Sequence, residues 1–129
     1  MKTLLLIEDD TKITLALGIR LKSAGYAVFT APDAVHAMGQ ARRHAPDVTL
    51  LDISLPGGDG FEVARRLRSS HNTASIPIVF LTASKAPGLR ERALAAGGVE
   101  LLEKPFSAER LFEAIALTVE GDDSFGAAA

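Results

Sequence analysis

Four short apolar runs punctuate the chain: Leu4-Leu5-Leu6-Ile7, Ala27-Val28-Phe29, Val48-Thr49-Leu50-Leu51 and Ile78-Val79-Phe80-Leu81. A weaker fifth is Glu100-Leu101-Leu102-Glu103. Continuous apolar runs this short read as strands covered on both faces. The fifth, with Glu at both ends, reads as an edge strand. Helical patterns fill the gaps. Ile13, Leu17, Leu21 and Ala24 make one buried stripe, which Gly25 stops. Asp33 caps a second helix running to about His44, and Asp59 caps a third with Phe61, Ala64 and Leu67 inward. A fourth covers residues 88–96 and ends at Gly97-Gly98, and Ser107 caps a fifth with Leu111, Ile115 and Val119 inward. The pattern is strand–helix five times over, with strands starting roughly 21 to 30 residues apart, room for crossover helices and a parallel sheet. Right-handed crossovers put helices on both faces. Residues 1–120 make one domain, and 121–129 read as a tail or the start of a linker.

Composition narrows the classes. With 129 residues and 47% apolar side chains, a proper core is expected rather than disorder. A net charge of −2 gives no general attraction to nucleic acid, so Arg42-Arg43 and Arg65-Arg66 read as solvated helix faces. The absence of cysteine rules out disulfides and thiolate chemistry. His36, His44 and His71 lack metal-ligand spacing and read as surface residues. No apolar run approaches the about 20 residues of a membrane span, and the first residues lack a signal-peptide pattern. A soluble cytoplasmic protein is expected.

In an open parallel sheet, ligands gather beyond the carboxyl ends of the strands. Glu8, Asp9 and Asp10 follow the first run; Asp52 ends the third, Thr82 the fourth and Lys104-Pro105 the fifth. Thr30-Ala31-Pro32, after the second, offers little chemistry. With a strand order of 2-1-3-4-5, Glu8, Asp9 and Asp52 converge. Three carboxylates repel one another, and a divalent cation resolves this; an all-oxygen site suits Mg2+. Lys104 adds a fixed positive charge and Thr82 a neutral hydroxyl. The set suits phosphoryl transfer to the Asp52 carboxylate, with Lys104 and the metal balancing charge and Thr82 binding one transferring oxygen. Blander readings stand beside these. Asp52 can simply end a strand, Thr82 can be an ordinary strand residue and Lys104 a surface lysine. Asp10 reads as a helix cap rather than a third ligand. Gly57, Gly58 and Gly60 read as a plain turn, since no phosphate-loop lysine accompanies them.

Ile-Glu-Asp-Asp at 7–10, Leu-Leu-Asp-Ile-Ser-Leu-Pro-Gly-Gly-Asp-Gly at 50–60, Leu-Thr-Ala at 81–83 and Glu-Lys-Pro-Phe at 103–106 resemble bacterial response-regulator receivers. The resemblance covers residues 2 to about 120, and four motifs in order, each ending a predicted strand, are specific. It implies a flavodoxin-like, doubly wound (βα)5 sandwich with a five-stranded parallel sheet in order 2-1-3-4-5. It implies Asp52 as phosphoacceptor, with Mg2+ held by Glu8, Asp9, Asp52 and the backbone carbonyl of Ser54. The phosphoryl donor it implies is a sensor histidine kinase or histidine phosphotransfer protein; the output partner stays open. It also implies a cis Lys104–Pro105 bond, and Ser54 and Ser84 flanking the hydrolytic water.

The chain departs from the family where many receivers carry Tyr or Phe three residues before the lysine; here that residue is Leu101. Output is then expected to rest on the loop and helix around Ala83 to Arg92. Gly98-Val99-Glu100-Leu101 and Phe112-Glu113-Ala114-Ile115 also lack the charges of the usual receiver dimer interface. Two other classes compete with a phosphoacceptor. A phosphorylation-independent interaction domain would be signalled by loss of Asp52, Thr82 or Lys104, and all three are present. A flavin protein would want a Ser/Thr/Gly-rich loop after the first strand, where this chain has acids. A haloacid-dehalogenase-type phosphatase would want Asp in place of Ser54. Finally, Leu15 and Ile19 lie off the buried stripe of the first helix. They read as a docking face for the phosphodonor or as packing against the fifth helix.

Overall fold

In the computed structural model the backbone of residues 2–128 and the side chains through Thr118 are described. The elements run β1 (Thr3–Ile7), α1 (Thr11–Ser23), β2 (Ala27–Ala31), α2 (Ala34–His44), β3 (Val48–Asp52), α3 (Gly60–Ser69), β4 (Ile78–Thr82), α4 (Leu89–Ala95), β5 (Gly98–Glu103) and α5 (Ala108–Ala128). All strand pairs are parallel, in the order β2-β1-β3-β4-β5. The expected inward position of Val119 and the tail at 121–129 fall outside the described side chains.

Capping explains the helix starts. Asp10 accepts from the backbone N–H of Lys12 and Ile13, Asp33 from His36, Asp59 from Glu62 and Ser107 from Arg110. Asp10 is thus occupied as a cap. Strand alternation splits the core in two. Leu5, Ile7, Leu51 and Phe80 pack against α2, α3 and α4, where Ala34, Ala37 and Ala41 let α2 lie close to the sheet. Leu4, Leu6, Leu50 and Leu81 pack against Leu21 of α1 and Leu111 and Ile115 of α5.

Three expectations need correction. Ala24 is exposed and caps the end of α1, while the fully buried residue on that helix face is Leu21. His44 is half-buried, its ring stacked on Phe29 at 3.6 Å between centroids, so it is no simple surface residue. β2 is only half-covered, because it is an edge strand like β5 and has one neighbour instead of two.

Register brings the chemistry to one end of the sheet. Ile7 lies opposite Leu51, so Glu8 follows beside Asp52. Asp52 lies opposite Leu81, and Thr82 opposite Glu103, so Thr82 and Lys104 come next. The Lys104–Pro105 bond is cis.

Candidate functional site

Each polar residue here follows an apolar strand that fixes its backbone. Glu8 and Asp52 are 3% and 4% exposed, an unusual depth for carboxylates, while Asp9 stays at the surface. Carboxylate oxygens of Glu8, Asp9 and Asp52 all lie within 4.8 Å of one another. Asp52 Oδ1 accepts from the backbone N–H of Ser54 at 2.8 Å, and Oδ2 accepts from Lys104 Nζ at 2.6 Å. Lys104 Nζ also donates to Glu8 Oε1 at 2.5 Å. The other Glu8 oxygen accepts from Asp10 N at 3.3 Å.

Burial pushes the Glu8 carboxyl up to about 7 against the pull of Lys104, and neighbouring Asp52 adds to the rise. For Lys104, burial acts to lower the pKa, but hydrogen bonds to Asp52 and then Glu8 outweigh it and hold the ammonium above its ordinary value. The site is therefore two buried acids sharing one lysine, with a third acid at the mouth.

Thr82 is buried at the end of β4, and its Oγ1 accepts from the backbone N–H of Ser84 at 3.0 Å. Ser84 Oγ in turn accepts from Ala86 N at 3.1 Å, which folds the segment after β4 back on itself. Ser54 is exposed, one turn beyond Asp52. All the residues singled out from sequence thus gather at the carboxyl end of β1, β3, β4 and β5. The donors that face one another are hard carboxylate oxygens, a set that fits a small divalent cation such as Mg2+.

Sequence reasoning missed Gly60. It reads as part of a plain turn, yet its N–H donates to the Ile53 carbonyl at 2.6 Å, and an added Cβ would lie 2.4 Å from the Asp52 carbonyl oxygen. The signal was available: glycine, a poor helix former, stands at the first position of α3 directly after its Asp59 cap.

Comparison with known proteins agrees with this geometry. Residues 4–116 match the model of the response regulator receiver domain. The chain is 34% identical along its whole length to the DNA-binding dual master transcriptional regulator RpaA of Synechocystis sp., of which it covers 54%. It is 37% identical over 113 residues, 87% of the chain, to Response regulator PleD of Caulobacter vibrioides, of which it covers 25%. The chain thus spans about half the length, or less, of these curated relatives. Among solved structures it is similar to the receiver domain of sensor histidine kinase PA1611 from Pseudomonas aeruginosa PAO1, which has a magnesium ion coordinated in its active site cleft. That match has a TM-score of 0.84 and 33% identity, and covers 92% of this chain and 98% of that one. No helix among the described residues is long and apolar enough to cross a membrane. A five-stranded parallel sheet in the order 2-1-3-4-5, an acidic cluster at its head and a family match over most of the length lead to one conclusion: the chain belongs to the response regulator receiver domains of two-component systems.

Proposed function

We propose that this receiver accepts a phosphoryl group on Asp52 from the phosphohistidine of a sensor histidine kinase or histidine phosphotransfer protein in the cytoplasm. Glu8, Asp9, Asp52 and the backbone carbonyl of Ser54 hold Mg2+ in this reading. The observation that carries it is the meeting of three carboxylates with Lys104 at the head of the sheet. An Asp52 carboxylate oxygen bonds to phosphorus as the phosphorus–nitrogen bond of phosphohistidine breaks. The imidazole leaves with the electron pair. Ser54 N–H and Lys104 fix the orientation of the Asp52 carboxylate, and Lys104 offsets the charge on the incoming group. Thr82 holds a hydroxyl one strand away; its oxygen accepts from Ser84 N–H, which leaves the hydroxyl proton to donate to a phosphoryl oxygen. When bound, Mg2+ supplies further charge neutralisation and orients phosphoryl oxygens. Incubation with acetyl phosphate and Mg2+ should give one phosphoryl adduct by intact mass, and EDTA should abolish it. Full-yield adduct formation in EDTA overturns the metal-dependent reading.

The metal site should titrate. Glu8 binds a proton in the folded chain up to about pH 7, well above its ordinary 4.5. The stability from this proton is therefore present in acid and lost as pH rises through about 7. Mg2+ competes with the same proton, so its affinity should rise about tenfold from about pH 6 to about pH 8. Calorimetric titration at the two pH values checks this; equal affinities would show that no proton on Glu8 competes with the metal in this range.

The first helix supports the docking reading over packing against the last helix. Leu15 and Ile19 are 66% and 60% exposed. Leu15 lines a cleft of about 470 Å3 with Thr11, Thr14, Thr30 and Pro32 that leads to Glu8 and Asp9. Fully burying each of the two side chains against a partner helix contributes about 1.5–3 kcal/mol. The Leu15→Ser, Ile19→Ser double variant should slow transfer from the cognate histidine protein at least about tenfold, or about 1.4 kcal/mol. Acetyl phosphate labelling and Tm should stay nearly unchanged. A large fall in Tm with transfer intact would place both residues in the core.

A further inference from the structure

Glu8 and Asp9 are neighbours in sequence, yet each brings a carboxylate oxygen within 4.8 Å of one from Asp52. Consecutive side chains of an extended strand point to opposite faces. A chain that ran straight on from β1 would therefore send one of the two acids away. The backbone has to turn directly after Ile7, the last residue of β1. Two ties hold that turn. On the strand side, Glu8 N–H donates to the Ala31 carbonyl of β2 at 3.0 Å. On the helix side stands Asp10.

Asp10 reaches in both directions. Its Oδ1 accepts from the backbone N–H of Lys12 at 2.9 Å and of Ile13 at 3.3 Å, satisfying two donors in the first turn of α1. Its own N–H donates to Glu8 Oε2 at 3.3 Å, and its carbonyl accepts from Thr14 N–H at 2.9 Å. Thr14 Oγ1 in turn donates to the Glu8 carbonyl at 3.4 Å. The first turn of α1 holds no acidic residue, so no other carboxylate there can take over the cap. The Asp10 carboxylate, committed to the helix, is not among the three that face one another.

We propose that Asp10 is a positioning residue for the divalent cation: by capping α1 it fixes the turn that aims Glu8 and Asp9 at one point. This rests on Glu8 and Asp9 being metal ligands. Without the cap the first turn of α1 frays, Asp10 N–H leaves Glu8, and the two acids no longer converge before the ion arrives. Apparent affinity then falls by the fraction of molecules that still hold the turn. A carboxylate beside two ligands also attracts a cation through space. Cap and charge are separable, because serine and asparagine cap helices without carrying charge.

The test is calorimetric titration of the whole chain with Mg2+, with Tm measured on each variant in metal-free buffer. Asp10→Ala should weaken Mg2+ binding about tenfold and lower Tm by about 3–6 °C. Asp10→Ser and Asp10→Asn should keep affinity within about threefold of the wild type. Asp33→Ala removes the cap of α2 and should lower Tm by a similar amount, with affinity within about twofold of the wild type. Asp9→Asn should weaken binding at least about tenfold. If Asp9→Asn binds as tightly as the wild type, the ligand reading fails and the positioning role with it. If Asp9→Asn weakens binding but Asp10→Ala stays within about twofold of the wild type, the positioning role alone is overturned. Equal weakening in Asp10→Ala, Asp10→Ser and Asp10→Asn also overturns it, because the charge and not the cap would then be acting. So does equal weakening in Asp33→Ala, which would trace the loss to general destabilisation.

Discussion

Asp52→Asn protein incubated with acetyl phosphate and Mg2+ should gain no phosphoryl mass under conditions that label the wild type. An amide oxygen is a far weaker nucleophile than a carboxylate, and the substitution also removes one of the two acids that hold Lys104. A loss of at least about a hundredfold in labelling rate is expected. The fold should survive, because the amide oxygen can still accept from Ser54 N–H and its size is unchanged. The Glu8 carboxyl should move back towards its ordinary value, since Asp52 contributes to its rise. NMR of Glu8 would follow that shift, and intact mass would follow the adduct. An adduct that persists in Asp52→Asn would place the acceptor elsewhere.

Gly60→Ala should cost about 3 kcal/mol and lower Tm by roughly 8–15 °C. The added Cβ would lie 2.4 Å from the Asp52 carbonyl oxygen and 2.8 Å from Ile53 Cα. Both neighbours are backbone, so no flexible side chain can yield. The N-terminus of α3 must move away from the end of β3, weakening the Gly60 N–H contact to Ile53 O. That displacement reaches Asp52 directly, so the variant should also label with acetyl phosphate more slowly at a temperature where it is fully folded. Gly39→Ala is the control: an exposed position inside α2 where a Cβ meets nothing within 4 Å. It should stabilise by about 0.5–1 kcal/mol through helix propensity. If both variants melt alike, the close approach of α3 to Asp52 is not a constraint on the fold.

The sequence by itself determined the elements and the inventory of the site. The apolar runs became strands and Asp10, Asp33, Asp59 and Ser107 became caps, because alternation and capping act within a few residues along the chain. Glu8, Asp52, Thr82 and Lys104 were found because each directly follows or ends such a run. Only the tertiary structure decided how these residues act on one another. Lys104 reaches Glu8 across 96 residues of sequence and holds Asp52 with the same nitrogen. The rise of the Glu8 pKa comes from burial by elements that no local pattern specifies. The exposure of Ala24, the stacking of His44 on Phe29 and the close approach at Gly60 share that origin. Each depends on a distance between groups far apart in the chain. Local periodicity fixes which face a residue takes, but the partner that meets it is fixed by how strands and helices pack.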